Sequence, residues 1–144
     1  MILKIKKLDN CFQLPEYKSE LASGMDLYSA NYDDVILKPL QRALIPSGIK
    51  IELEKGYEAQ IRARSGLAIK NGITLINAIG TIDADYRGEI CVGLVNLSDE
   101  DFAIKRGDRI AQMVIAPVVY PQIEIKEELS ETARSIGGFG STGV

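Results

Sequence analysis

The sequence predicts an all-β fold, a jelly-roll-like distorted barrel or sandwich with one short helix and a flexible C-terminal tail. Three observations point there. Apolar and polar residues alternate with a period of two, glycine and proline interrupt the chain at short intervals, and the ending is polar and glycine-rich with almost nothing to bury. At 144 residues the chain is long enough for one domain with a core, and nothing in its middle reads as a linker. We expect a β domain over residues 1–130 and, over 131–144, a tail.

Strands are expected near residues 2–6, 25–29, 35–37 and 42–45. The clearest alternation follows: Ile49, Ile51 and Leu53 against Lys50 and Glu52, then Tyr57, Ala59, Ile61 and Ala63 against Glu58, Gln60, Arg62 and Arg64. Both runs read as half-buried strands, and the second puts Arg62 and Arg64 on one face, where two guanidinium groups repel unless something anionic answers them. A short helix is expected over SGLAIKNG, with Ser65 capping its first turn and Gly72 closing its last. Strands near 89–96 and 109–116 complete the set, with Pro39, Pro46, Gly48, Gly56, Gly88 and Gly107 as turn signals. Many short strands with frequent turns suit a sandwich or jelly roll.

Composition narrows the function. A formal charge of -3 and a pI near 5.1 lack the basic footprint of a nucleic-acid binder. The uncharged apolar stretches are too short to span a bilayer, and MILKIKKLDN turns charged before a signal-peptide core could develop, so no membrane partner and a cytoplasmic location are expected. Cys11 and Cys91 lack metal or redox spacing and read as free thiols. Histidine is absent, which removes the usual general base, the serine and cysteine triads and every His-ligated metal site. An enzyme built from this chain must use carboxylates.

Five segments carry candidate chemistry. GTIDADYRGEI, read as an extended hairpin arm, points Asp83 and Asp85 the same way, close enough to raise one another's pKa and poise a base; it reads equally as a polar turn with an ion pair to Arg87. RARSGLA joins arginines to a helix start, a natural anion site or simply a capped helix. GGFGSTG lets backbone N–H groups converge on phosphate oxygens, although it lacks the lysine of a Walker A loop. Asp26, in SGMDLYSA, reads on its own as an acid on a solvated sheet face. Gln112, in GDRIAQMVI, shares a face with Ile110 and Val114 and is either a satisfied core amide or part of a site.

Taken in order, SGMDLYSA, RARSGLA, NAIGTIDADYRGE, GDRIAQMVI and RSIGGFGSTG closely resemble the five motifs of the homotrimeric all-β dUTPase family, over nearly the whole chain. The resemblance implies hydrolysis of dUTP to dUMP and pyrophosphate. It assigns Asp83 as the base for water, Tyr86 to the deoxyribose, and Asn77 with the hairpin backbone at Gly80 to uracil. Arg64, Ser65, Gly66 and Gln112 would hold phosphates. Asp26 would meet Mg2+ indirectly, through water, the ion riding mainly on the triphosphate. Arg134, Gly140, Ser141 and Thr142 would close over the terminal phosphates and Phe139 would stack on the base. Three subunits would share the sites. Two departures, Ser135-Ile136 after Arg134 and Thr81 before Ile82, fall outside these roles.

Two rival readings belong to other classes. A dCTP deaminase-like enzyme needs an acid beside the pyrimidine ring, and ICVGLVN, after the hairpin, is apolar and glycine until Asn96. A dUTP-sensing or partner-binding module would be hindered by Asp83 beside a triphosphate.

Overall fold

The computed structural model describes residues 1–138. In chain order these form β1 (Lys4–Lys7), β2 (Met25–Tyr28), β3 (Val35–Leu37), β4 (Arg42–Pro46), β5 (Ile49–Glu52) and β6 (Tyr57–Arg62), then α1 (Ser65–Asn71). β7 (Ile73–Leu75), β8 (Ile79–Ile82), β9 (Cys91–Asn96), β10 (Phe102–Ile104) and β11 (Arg109–Pro117) follow. A four-stranded sheet in the order β2-β11-β6-β8 and a three-stranded sheet, β4-β9-β7, are accompanied by the two-stranded pairs β1-β5 and β3-β10. The pairings are antiparallel throughout. This is the all-β, jelly-roll-like architecture with one short helix that the alternation predicts.

The alternating residues go where their period sends them. Ile49, Ile51, Leu53, Ala59 and Ile61 are buried, and they join Ile45, Ile73, Ile90, Leu94, Ile110 and Met113 in one core. Each large aliphatic side chain withdrawn from water contributes about 1.5–3 kcal/mol, and this core is what fixes the strand register.

The turns behave less uniformly. Gly72 closes α1 as expected: it adopts φ 68°, and its N–H donates to Ala68 O at 2.9 Å. A Cβ there would lie 2.8 Å from Ser98 N, so space as well as backbone angle requires glycine. Ser65 does not cap the helix. Arg64 occupies the N-cap position without a side-chain bond, and Ser65 is the first helical residue, leaving its hydroxyl outside the capping geometry. The expected extended arm after Gly80 is also corrected, because β8 ends at Ile82 and the chain turns at once, Tyr86 N–H donating to Asp83 O at 3.1 Å.

Beyond Pro117 the described residues form no further helix or strand. Val119, Ile123, Ile125 and Leu129 stand 84%, 90%, 93% and 87% exposed, an apolar series left open among the described residues. Among the described residues no helix is long and apolar enough to cross a membrane.

Candidate active site

The first cluster grows from the register of the large sheet. Gln112 on β11 pairs with Asp26 on β2 and, on its other side, with Arg62 on β6. Directly opposed residues share a face, so these three side chains rise from the same side of the sheet. Asp26 is not a solvated acid: it is buried at 9% exposure. Arg64 Nε donates to its Oδ1 at 3.1 Å and Arg109 Nη1 to its Oδ2 at 3.0 Å, while Arg64 also donates to the Arg109 carbonyl at 3.0 Å. One carboxylate thus pins two guanidinium groups, which is the condition under which so buried a charge is tolerated. Arg62 turns instead to Gln60, its Nε donating to Oε1 at 3.1 Å, so the two arginines of the run part company.

Around this ion triad lies an open cleft of about 280 Å³ that Arg64, Ser65, Gly66, Gln112 and Asp26 all line. Gln112 is satisfied, its Nε2 donating to Ala63 O at 3.0 Å, and a Cβ on Gly24 would come within 2.7 Å of its Oε1. Gly24 therefore sets where that amide can stand. A Cβ on Gly66 would meet nothing within 4 Å, so the fold does not demand glycine there, and the bare backbone faces the cleft. Arg109 and Gly24 carry no signal of their role in the sequence; RIAQ displays the arginine, but its carboxylate partner is 83 residues away.

The second cluster surrounds the turns at either end of β8. Ile79 N–H donates to Asn77 O at 2.7 Å, and Ala78 between them adopts φ 60°, a left-handed conformation that costs a residue with a Cβ. Asn77, Gly80, Asp83 and Tyr86 line one pocket of about 350 Å³, floored by Ile61, Leu75 and Val92. A Cβ on Gly80 would sit 3.2 Å from Ile61 Cβ and 3.5 Å from Asn77 Nδ2, so glycine lets the turn lie flat against β6. Tyr86 OH donates to Glu89 O at 3.1 Å and stands against the pocket wall. Of the paired acids only Asp83 lines the pocket; Asp85 is the third residue of the Asp83–Tyr86 turn, so the same-face pair expected of an extended arm does not form.

Glu89 also lines this pocket, an acid inside the hairpin motif to which the sequence reading gives no role. Its Oε1 accepts from Gly48 N–H at 2.8 Å and from Asn10 Nδ2 at 3.4 Å, which commits it to holding the loop at Gly48. Beside it, burial first and the Glu89 charge second push the Cys91 thiol above its ordinary value of 9.0, so the sulfur stays protonated near neutrality. Cys11 and Cys91 are both free.

Among the described residues none lines both cavities. The reason is geometric: Ile61 and Arg62 are neighbours on β6 and face opposite sides of the sheet. Ile61 pairs with Gly80 on β8, and Arg62 pairs with Gln112, so the hairpin pocket and the ion cleft belong to opposite faces. Arg134 reaches neither, its Nε donating to Gly137 O at 2.8 Å within a local turn. Phe139, Gly140, Ser141 and Thr142 lie outside the described residues.

Known proteins resemble the chain over nearly its whole length. The dUTPase family profile matches residues 10–143. A deoxyuridine 5'-triphosphate nucleotidohydrolase of Nautilia profundicola is 58% identical over 143 residues, covering 99% of each chain. One of Brucella melitensis is 57% identical over 132 residues, covering 90% of this chain and 84% of its own. Among solved structures, a Staphylococcus bacteriophage 80alpha dUTPase with dUPNHPP superposes with a TM-score of 0.90 at 28% identity, covering 99% of each chain.

Proposed function

The chain belongs to the dUTPase family, and on that footing we propose that it hydrolyses dUTP to dUMP and pyrophosphate, keeping uracil out of DNA and supplying dUMP for thymidylate synthesis. The observation that carries the reading is the hairpin pocket, which gathers Asn77, Gly80, Asp83 and Tyr86 at one wall. An amide at Asn77 donates to uracil O4 and accepts from N3–H, and the tight backbone at Gly80 leaves no room for a methyl at C5. Tyr86 packs where a 2'-hydroxyl would collide.

Asp83 takes a proton from water as its oxygen bonds to the α-phosphorus; the bridging P–O bond breaks and pyrophosphate departs. The phosphate chain lies in the ion cleft, against Arg64, Ser65, Gly66 and Gln112. Both oxygens of Asp26 already accept from guanidinium groups, so this acid would hold Mg2+ only indirectly, through water, an ion that would ride mainly on the triphosphate. The chemistry the ion would supply there is positive charge for the leaving pyrophosphate. The tail over 131–144 acts as a lid, Arg134, Gly140, Ser141 and Thr142 closing on the terminal phosphates and Phe139 stacking on uracil.

Because the pocket and the cleft face opposite sides of one sheet, we read a complete site as the pocket of one subunit set against the cleft of another, in a homotrimer. The exposed apolar series after Pro117 supports this, since among the described residues nothing of its own chain covers it and a neighbour could. A phosphorus NMR spectrum of the protein with dUTP and Mg2+ tests the activity. Pyrophosphate is expected; orthophosphate or unchanged dUTP overturns the assignment.

A further inference from the structure

The ion cleft has one more cation than the phosphate and Asp26 contacts use. Lys18 lines it beside Arg64, Arg109, Ser65 and Gln112, so three positive groups face a single lining carboxylate, Asp26. Two of the three are committed: Arg64 and Arg109 hold Asp26, whose side chain is only 12% exposed, and withdrawing either leaves a buried charge short of a partner. Lys18 is paired differently. Its ammonium rests on Glu16, and that pair is open to solvent, 48% and 40% exposed, where ion pairs exchange at little cost. Glu16 also accepts from Tyr28 OH and from Gln13 Nε2, the latter at 2.7 Å, so Lys18 can leave without orphaning the carboxylate. The backbone keeps Lys18 in place for this: Asp26 N–H donates to Glu16 O at 2.9 Å and ties the lysine's loop to the strand that carries the triad.

We propose that Lys18 is a phosphate-binding residue of this cleft, parked on Glu16 in the empty site and handed to the polyphosphate chain when it enters. The inference rests on the dUTP reading for the identity of the ligand. The hydrogen bond to Glu16 raises the lysine's pKa, so the ammonium is present across the physiological range.

The test is titration calorimetry with inorganic pyrophosphate in magnesium buffer. Lys18→Gln should weaken binding roughly tenfold, the scale of one charge-assisted hydrogen bond, and raise KM for dUTP in parallel; Lys18→Arg should restore most of the loss. Glu16→Gln should instead tighten pyrophosphate about two- to threefold, because the lysine is no longer held back, and the gain should vanish when Lys18→Gln is added. Equal affinities for wild type and Lys18→Gln overturn the proposal, as does a gain from Glu16→Gln that survives in the double variant. Pyrophosphate titration involves no hydrolysis, so a protein that leaves dUTP intact would sink the dUTPase reading, while pyrophosphate affinity alone decides the role of Lys18.

Discussion

The hairpin pocket and the ion cleft lie on opposite faces of one sheet, and they are built from different materials. The pocket is glycine, turn backbone and apolar floor, with Asn77, Asp83 and Tyr86 exposed at its wall and no salt bridge among them. The cleft is charge on charge, a buried carboxylate bridging two arginines with Lys18 at its side. Shape recognition needs stiffness and tolerates no added atoms. Charge recognition needs a surplus of one sign and tolerates some rearrangement. Substitutions on the two faces should therefore fail in different ways.

The largest effect should be discrimination at the pocket. Measured as kcat/KM, dUTP should exceed dTTP, dCTP and UTP by roughly 10⁴-fold, the scale reached where a polar group is left unpaired or backbone collides. Comparable turnover of dTTP would mean that the backbone at Gly80 does not read the C5 position. Next, Asp83→Asn should lower kcat by roughly 10²-fold or more while nucleotide still binds, since the cleft is untouched. A variant keeping most of its kcat would remove Asp83 from the mechanism.

Whether the base and the tail of one site come from different subunits can be tested by mixing. Asp83→Asn and a chain truncated after Ala133 should each be nearly inactive. Refolded together in equal amounts, they should regain about a quarter of the sites, because each site draws an intact Asp83 half the time and an intact tail half the time. Activity that stays at the level of the parents would place base and tail on one chain.

Smaller effects should separate the faces by stability. Asp26→Asn leaves two guanidinium groups facing an amide, and thermal melts should show a loss of about 2 kcal/mol. The corresponding change on the other face, Asp83→Asn, should barely move the melting temperature, because Asp83 is exposed and holds no ion pair among the described residues. The smallest effect concerns Glu16. The hydrogen bonds from Lys18 and then Tyr28 hold its carboxyl below the ordinary 4.5. A depressed folded value means the contribution is complete above pH 4.5 and is lost as pH falls through the folded pKa. Denaturant titrations of Glu16→Gln should show a slightly flatter acid limb than wild type; an unchanged limb would mean that the pair adds nothing to stability.

What can be read from sequence divides along the same line. The floor is legible at Ile61, which obeys a local period, and Gly72 is legible because a left-handed helix end asks for glycine. Short elements are read unevenly: β7 and β10 have three residues each, too few to show any period, while β3, equally short, is bounded by the turn signal at Pro39. Asp26 misleads for a different reason. Its neighbours suggest a solvated strand face, while the arginines that make its burial tolerable arrive from 38 and 83 positions away. Asp83 and Asp85 mislead because alternation presumes an extended chain, and the chain turns right after Ile82. Pairwise electrostatics over long sequence separations is invisible to pattern, and the cleft consists of little else.

Ala78 shows what the pocket side spends to be rigid. At φ 60° it holds a conformation that glycine would enter freely, at a cost of roughly 1–2 kcal/mol for a residue with a Cβ. The methyl group also narrows the wells open to the turn, so the tip between Asn77 and Ile79 behaves less like a hinge than like a clamped leaf spring. Ala78→Gly would relieve the strain and let the tip bend. A gauge that measures one methyl group works only while its jaw is stiffer than the object it measures, and a more comfortable hairpin would make a poorer gauge.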